Sequence, residues 1–565
     1  MCSWPESAAR RAKGASTKAS VPGLPPLPKQ SGSPQLQGRC SESVAARAST
    51  RSSSTRSAST RASESQPSSG SSQRRAASLP PRAESDSRAL RYVIQFGNNS
   101  GLLRQLLRSR SNWAPAPGDP GSAAGGGSYQ DRCVKLKPAA GPEINLLWTQ
   151  YRSLSFLNAM ASNTQGVCVA LNEEKSIKLK ACKAPAKAEA PVRCHNHFEG
   201  SGLICTKKGL CESMMALFLQ AKRDPFGALP LTFIVHGSED PQFAVFEEAF
   251  TSIAAGSKQT MWIVKPAEWA NRGCGIRIFK TLEDVRARVD SKDRVWAIQK
   301  YIERPLLVHG RKFDIRAYCL VLQQGSTRGF GFRDAYLRTT SAPYTTKNLD
   351  RMVHLNNDAV QKKGDNYGKF ESANKLSLEE FQKYLDEHHA RKVSVREDLM
   401  PQIRGLMADA IRSVAHRLNP RNIENCFEVF GFDFMVDADF RVWLIECNAN
   451  PCLDLCSAYL AHLIPSMLDQ ALRLTVDCIF NQDGGSVADS TKWDLLYDSA
   501  QAVSDVSCTW VEELPQGFTH ASLGKQILGS HKKRGKKTAA ISLKEPSSRS
   551  AIDDEHASNN SEIAS

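Results

Sequence analysis

Apolar and polar positions alternate most sharply in two runs late in the chain, Phe427 to Val436 (FEVFGFDFMV) and Val442 to Asn448 (VWLIECN). A period of two marks β-strands, because successive side chains point to opposite faces of a sheet. The runs predict a hairpin turning at Ala438 and Asp439. In it Asp433 faces away from Phe430, Phe432 and Phe434, while Glu446 and Asn448 share a face with Val442 and Leu444. That turn sets Asp433 opposite Leu444 and diagonal to Glu446. Two carboxylates and an amide within mutual reach suit Mg2+, which takes oxygen ligands from a few side chains and completes its shell with water and phosphate. A hairpin carrying surface acids is the other reading of the same residues.

Upstream the same test finds further elements. RYVIQF (Arg91 to Phe96) reads as a strand, GNNSG as a tight turn, LLRQLLRSRSNW as a helix and INLLW (Ile144 to Trp148) as a strand, which together open an α/β unit. PAPGDPGSAAGGGS and the Lys/Ala-rich region from about residue 159 to 191, with KSIKLKACKAPAKAEAP, break the pattern and read as loop insertions. After CHNHF, Lys207 and Lys208 open an apolar helix, where their charges are either solvated or turned to phosphate or an acidic tail. LPLTFIV is a strand and FAVFEEAF a helix. Between Leu399 and Leu418 an apolar stripe of Ile403, Met407, Ala410 and Val414 recurs at helical spacing and predicts a core helix.

Candidate chemistry collects between these elements. MWIVKP ends a strand on Lys265, and a loop with Arg272, Gly273 and Gly275 leads to a second strand, IRIF. Glycines let backbone N–H groups approach phosphate oxygens while the lysine and arginine neutralise charge; a hairpin turn with no ligand is the alternative. Neither GxxxxGK[ST] nor GxGxxG occurs at this loop, so a phosphate site here requires a different architecture. Val295 to Tyr301 reads as a strand, and the backbone from Gln299 to Ile302 is placed to face an adenine ring if the segment is a hinge between lobes. In KFDIRAYCLVL, Lys312, Asp314 and Arg316 fall on one strand face, which suits either a site for polyphosphate, metal and carboxylate or an exposed edge. Arg338 and the pair Asn356 and Asn357 follow downstream.

Composition narrows the class. The chain has 565 residues, 41% of them hydrophobic, enough for two or three domains and a sizeable core. Residues 1–88 are a basic tail rich in Ser, Ala, Arg and Pro, which cannot bury enough surface to order itself; an organelle transit peptide is a minority reading. An N-terminal α/β subdomain with loop insertions is expected over 89–230, a catalytic core over 231–482 and a mostly disordered extension with the basic cluster HKKRGKK over 483–565. The net charge of +16 points to an anionic partner, with no nucleic-acid-binding motif to make that partner a nucleic acid. No apolar run nears the roughly 18–20 residues that span a bilayer, so a cytoplasmic monomer is expected. The 16 cysteines show no repeated CxxC pair and read in general as buried thiols; Cys447, Cys452 and Cys456 are close enough to suggest zinc, but the first lies in a strand pattern, and for them as for His195 and His197 a structural role is preferred to a metal site.

Taken in order, WIVKP with RGCGI, IQKYIERPLL, RKFDIR, YLRTTSAPY, HLNNDAVQK, NYGKF, FGFDFMVD and WLIECNANP resemble the tubulin tyrosine ligase and ligase-like family over residues 90 to 480. The resemblance implies an α/β fold with an ATP-grasp core, ATP and Mg2+ as cofactors, and an amino acid joined to the acidic tail of tubulin through an acyl-phosphate. It implies phosphate contacts from Lys265, Arg272 and Gly273, an adenine hinge of Gln299, Lys300, Tyr301 and Ile302, and further nucleotide contacts from Lys312, Phe313, Asp314, Asn356 and Asn357. Arg316 and Arg338 match catalytic arginines, the second holding the amino acid's carboxylate, and Asp433, Glu446 and Asn448 match metal ligands. Tubulin or microtubules are the implied partner, and the cytoskeleton, with the cilium or basal body, the implied location. Asn356 stands where many members have threonine. Ala449 stands where glutamate-adding members often have histidine, which weakens a glutamylase reading, and TTSAPY with NYGKFESAN tilts towards tyrosine over glycine. A non-catalytic microtubule-binding protein on the same scaffold is the rival class.

Overall fold

The computed structural model describes residues 89–117, 119–121, 144–162, 192–256, 260–268, 273–480 and 491–501, together with the backbone of 166–171 and 177–182. The expected basic tail, much of the inserted segments, Arg272 and the C-terminal extension beyond residue 501 lie outside the described residues.

Strand β1 (Leu90–Ile94), β2 (Trp113–Pro115), β3 (Leu146–Trp148) and β6 (Cys194–His195) form a parallel sheet in the order β2-β1-β3-β6. Between β3 and β6 the chain forms an antiparallel hairpin of β4 (Gly166–Leu171) and β5 (Ile177–Cys182). Loop was expected there. Lysine richness hides a period of two, in which Ile177, Leu179 and Ala181 alternate with Lys178 and Lys180.

Two antiparallel sheets follow. The smaller, in the order β7-β10-β8-β9, contains β7 (Thr232–Val235), β8 (Trp262–Pro266), β9 (Arg277–Phe279) and β10 (Trp296–Lys300). The larger runs β14-β13-β12-β15-β16, from β12 (Arg311–Gln324), β13 (Ser326–Pro343), β14 (Lys375–Ser377), β15 (Phe427–Val436) and β16 (Val442–Ala449). A short β11 (Leu307–Val308) adds to β12, and β17 (Trp493–Asp498) adds to β13.

The helix Met400–Leu418 buries the expected stripe, and Ile403, Met407, Ala410, Val414 and Leu418 join Phe430, Phe432, Phe434, Val442, Leu444 and Cys447 in one core. Burying each such large side chain contributes roughly 1.5–3 kcal/mol. The opposite face of the large sheet, with Tyr318, Leu320, Phe332 and Val429, packs on β1, β3 and the helix Ala458–Leu472. Phe233, Phe246, Trp262 and Trp296 form a separate core for the small sheet. Among the described residues no helix is long and apolar enough to cross a membrane.

His195 and His197 have structural partners. His195 sits between the Leu147 carbonyl and the Ser153 amide, and burial pushes its pKa down to about 3, so the ring is neutral. His197 puts Nδ1 2.7 Å from Glu428 Oε1 and Nε2 2.9 Å from the Thr149 carbonyl. Burial opposes its charge, but the Glu428 carboxylate outweighs that and raises its pKa. The pair ties the loop after β6 to β15.

Candidate functional site

The predicted hairpin forms with a different register. Its turn is the five-residue loop Asp437–Arg441, in which Asp437 Oδ1 accepts from the amides of Asp439 and Arg441, and Phe440 takes a left-handed φ of 66°. A bulge follows, because Phe434 pairs with Leu444 whereas Asp433 pairs with Glu446. The extra residue, Ile445, reverses the alternation. Leu444 and Cys447 therefore both enter the core, while Glu446 and Asn448 turn to the face of Asp433, away from Val442 and Leu444. The expectation of a diagonal pair is thus replaced by a directly opposed one.

A row of charges crosses the large sheet along this register. Tyr336 on β13 pairs with Arg316 on β12, Arg316 with Asp433 on β15, and Asp433 with Glu446 on β16. The Arg316 guanidinium grips both oxygens of Asp433, Nη2 at 3.0 Å. Arg338 donates to both oxygens of Asp314 at 2.7 Å and also lies 2.9 Å from Asp433 Oδ2. Strand β12 is central rather than an edge, which is why its alternate charges are paired instead of solvated. Burial alone raises the Asp433 pKa, but Arg316 and Arg338 overcome it and hold the carboxyl well below the usual range. Asp314 goes the other way, raised by burial with a contribution from Asp433 that Arg338 only partly offsets.

Lys265 comes from the smaller sheet, whereas Lys312 shares the β12 face of Asp314 and Arg316. Lys265 on β8 donates to Gln299 Oε1 at 2.8 Å, and Gln299 donates in turn to the Thr232 hydroxyl at 2.9 Å. Burial and the neighbouring Lys207 lower the Lys265 pKa to about 8, against the pull of Glu446 and Asp433. Lys312 donates to the Tyr301 hydroxyl at 3.0 Å and the His354 carbonyl at 2.9 Å, and burial, only partly offset by Asp314, lowers its pKa to about 7. Lys207 reaches Glu446 at 3.4 Å. Read in sequence only as half of a lysine pair, Lys207 becomes part of the site because the helix Lys207–Gln220 begins beside β16.

The remaining predicted residues divide. Gly273 and Gly275 both have left-handed φ, 73° and 74°, and a Cβ on Gly273 would lie 3.1 Å from the Asn357 amide oxygen, so the loop and Asn357 adjoin. Asn356 spends its amide on the carbonyls of Lys312 and Arg338, at 3.1 and 2.9 Å, fastening β12 to β13 from the side. Lys300 pairs with Glu303, and Ile302 follows the end of β10. Phe313 points into the core against Phe381, as alternation between Lys312 and Asp314 requires.

The donor set suits a divalent cation. Asp433 and Glu446 face one another in register, and Asn448 Nδ2 lies 3.3 and 3.4 Å from their oxygens. Half a turn of that amide, which gives up its 3.2 Å bond to the Gly431 carbonyl, would present its oxygen to the same point. Among the described residues no group of three or more His, Cys, Asp or Glu is arranged to hold a metal, so a cation here relies on the amide and on oxygens from outside the protein.

The lysines predict a pH dependence. With pKa values of about 8 for Lys265 and about 7 for Lys312, their ammonium forms are lost as pH rises through these values. If the two lysines meet phosphate, affinity for ATP is expected to fall by about tenfold or more between pH 7 and 9, with proton uptake on binding, since one pKa unit corresponds to about 1.36 kcal/mol. Calorimetry in buffers of different ionisation enthalpy measures both, and a flat profile contradicts the arrangement.

Two antiparallel sheets whose lysines, arginines and carboxylates meet in this way define an ATP-grasp fold. The chain belongs to the tubulin-tyrosine ligase family, whose profile matches residues 186–483. It is similar to tubulin glycylase 3B of Tetrahymena thermophila, with 33% identity over 224 residues, 39% of this chain and 18% of that protein. It is also similar to tubulin monoglycylase TTLL3 of Homo sapiens, with 31% identity over 290 residues, 50% of this chain and 36% of that protein. Tubulin glycylase 3A of Drosophila melanogaster shares 34% over 226 residues, 39% of this chain and 22% of that protein. The chain thus spans between 18% and 36% of the length of these relatives.

Proposed function

We propose that this chain is an ATP-dependent ligase that joins glycine to a carboxylate of the acidic C-terminal tail of tubulin. The observation that carries the reaction class is the registered row Arg316, Asp433, Glu446, with Lys312 beside it on β12 and Lys265 from the smaller sheet. TTSAPY and NYGKFESAN tilt towards tyrosine, but the three relatives named above are glycylases, and they support glycine instead.

The residues divide the work by charge. Lys265, oriented by Gln299, and Lys312, oriented by Tyr301, neutralise phosphate oxygens of ATP. Asp433, Glu446 and Asn448 would hold Mg2+, which neutralises charge on the transferring phosphoryl group. The tail carboxylate attacks the γ-phosphorus and ADP leaves, giving an acyl-phosphate. The glycine amine then attacks the acyl carbon, the C–O bond to phosphate breaks, and the amine proton is lost as the amide forms. Arg338 exchanges part of its bond to Asp314 for the glycine carboxylate, and Arg316 offsets phosphoryl charge. Alignment and electrostatics suffice, with no side-chain nucleophile. Tubulin places the protein at the cytoskeleton.

The test is incubation of the purified chain with Mg-ATP, tubulin and, separately, glycine, tyrosine or glutamate, followed by mass mapping of the tails. Glycine addition alone is expected. Addition of only tyrosine or only glutamate overturns the substrate, and no addition of any overturns the ligase.

A further inference from the structure

The turn between β1 and the helix Ser100–Arg108 has a backbone that chain reversal alone does not explain. Gly97, Asn98 and Asn99 are left-handed in succession, with φ of 102°, 42° and 57°. Only glycine adopts this region freely; asparagine tolerates it when its amide finds partners. Those partners lie more than 350 residues away, in the loop that leaves β16 just after Asn448. The Asn98 amide nitrogen donates to the Asn450 side-chain oxygen and, at 2.8 Å, to the Pro451 carbonyl. Its oxygen accepts the Leu453 amide at 3.0 Å, and Asn99 donates to the Leu453 carbonyl at 3.0 Å. Asn450 is itself left-handed, with φ of 51°. Two strained turns are thus held together through one amide that uses both its donor and its acceptor.

The clasped loop forms the wall behind Arg316. A Cβ on Gly431 would lie 2.7 Å from Pro451 Cβ and 3.2 Å from Arg316 Cδ and Nη1, so Pro451 and Arg316 press on the same point of β15. The Tyr318 hydroxyl adds a bond to the Cys452 carbonyl at 3.3 Å. None of these contacts involves Lys265, Lys312 or Gln299. The loop therefore bears on the arginine end of the cleft and not on the lysine end.

We propose that Asn98 is a positioning residue for the ligase reaction: it sets the Asn450–Leu453 loop, through Pro451 it sets Arg316, and through the Asp433 carboxylate that Arg316 shares with Arg338 it sets the arginine that takes the amino acid. The inference rests on the ligase reading above. It makes the N-terminal strand–turn–helix part of the site rather than a separate attachment.

Asn98→Gly tests it, because glycine keeps the left-handed backbone and removes only the amide. Hydrogen–deuterium exchange on the full chain should show lost protection at the Leu453 amide, with β12 and β15 still protected. In the ligation assay the KM for the amino acid should rise about tenfold, with the KM for ATP within about twofold. Asn450→Gly, which removes the contact from the other side, should shift the same constant and serves if Asn98→Gly does not fold. Unchanged protection at Leu453, or an equal rise in both KM values, overturns the inference. Wild-type turnover with variant constants unchanged also overturns it alone, whereas a wild-type chain that adds no amino acid overturns the ligase reading beneath it.

Discussion

Glu446→Gln should lose on the order of a thousandfold in turnover, as expected when a charge that stabilises the transition state is removed from a preorganised site. Its fold should survive. The Glu446 side chain is 22% exposed, and its ion pair is to the similarly accessible Lys207 at 3.4 Å. Pairs at such exposure contribute about 1 kcal/mol or less. The substitution keeps the shape of the side chain and its place opposite Asp433 while removing the negative charge that a divalent cation needs. Ligation rates, Mn2+ binding followed by electron paramagnetic resonance and thermal melting separate these effects. Weakened Mn2+ binding with an unchanged melt is expected. Near-normal turnover would remove Glu446 from the site, and unfolding would make it structural.

Asp433→Asn should fail in both respects. Asp433 is 2% exposed and is shared by Arg316 and Arg338, so the amide leaves two buried guanidiniums short of a counter-charge. Breaking a buried pair from one side costs about 3–5 kcal/mol. Urea unfolding should show a clear drop in midpoint that Glu446→Gln does not show, and turnover should vanish. The pH sign follows from the depressed pKa. The stability Asp433 contributes is complete above the unfolded carboxyl value of about 3.9 and is lost as pH falls through the lower folded value. The variant should therefore lose part of the wild-type decline in stability on acidification. Equal midpoints for wild type and Asp433→Asn would show that the charge row does not hold β12 to β15.

Much of the site could be read from local pattern. Asp433, Glu446, Asn448, Lys265, Lys312 and Asp314 all come to the cleft, because a strand's period decides which side chains share a face. Register was less accessible. The five-residue turn and the bulge at Ile445 each move the pairing by one residue, and nothing in VWLIECN marks a bulge. The pairing of Arg316 with Asp433 joins strands separated by more than a hundred residues, so no spacing in the chain encodes it. Asn356, expected as a nucleotide contact, also donates to the backbone carbonyls of Lys312 and Arg338, which only the fold brings to it. KSIKLKAC reads as loop because its lysines outweigh its alternation.

By itself, then, the sequence determined most of the core strands and helices, though not the β4–β5 hairpin, which residue types the central strands carry, and to which family the order of motifs points. Those properties depend on neighbours a few positions apart, through side-chain period and turn chemistry. Only the tertiary structure decided that Asp433 faces Glu446, that two arginines share its charge, that Lys207 joins the site, and that Asn98 grips the loop after Asn448. Each of these is a contact between distant segments, set by sheet register and by the satisfaction of buried polar groups, which local pattern leaves open.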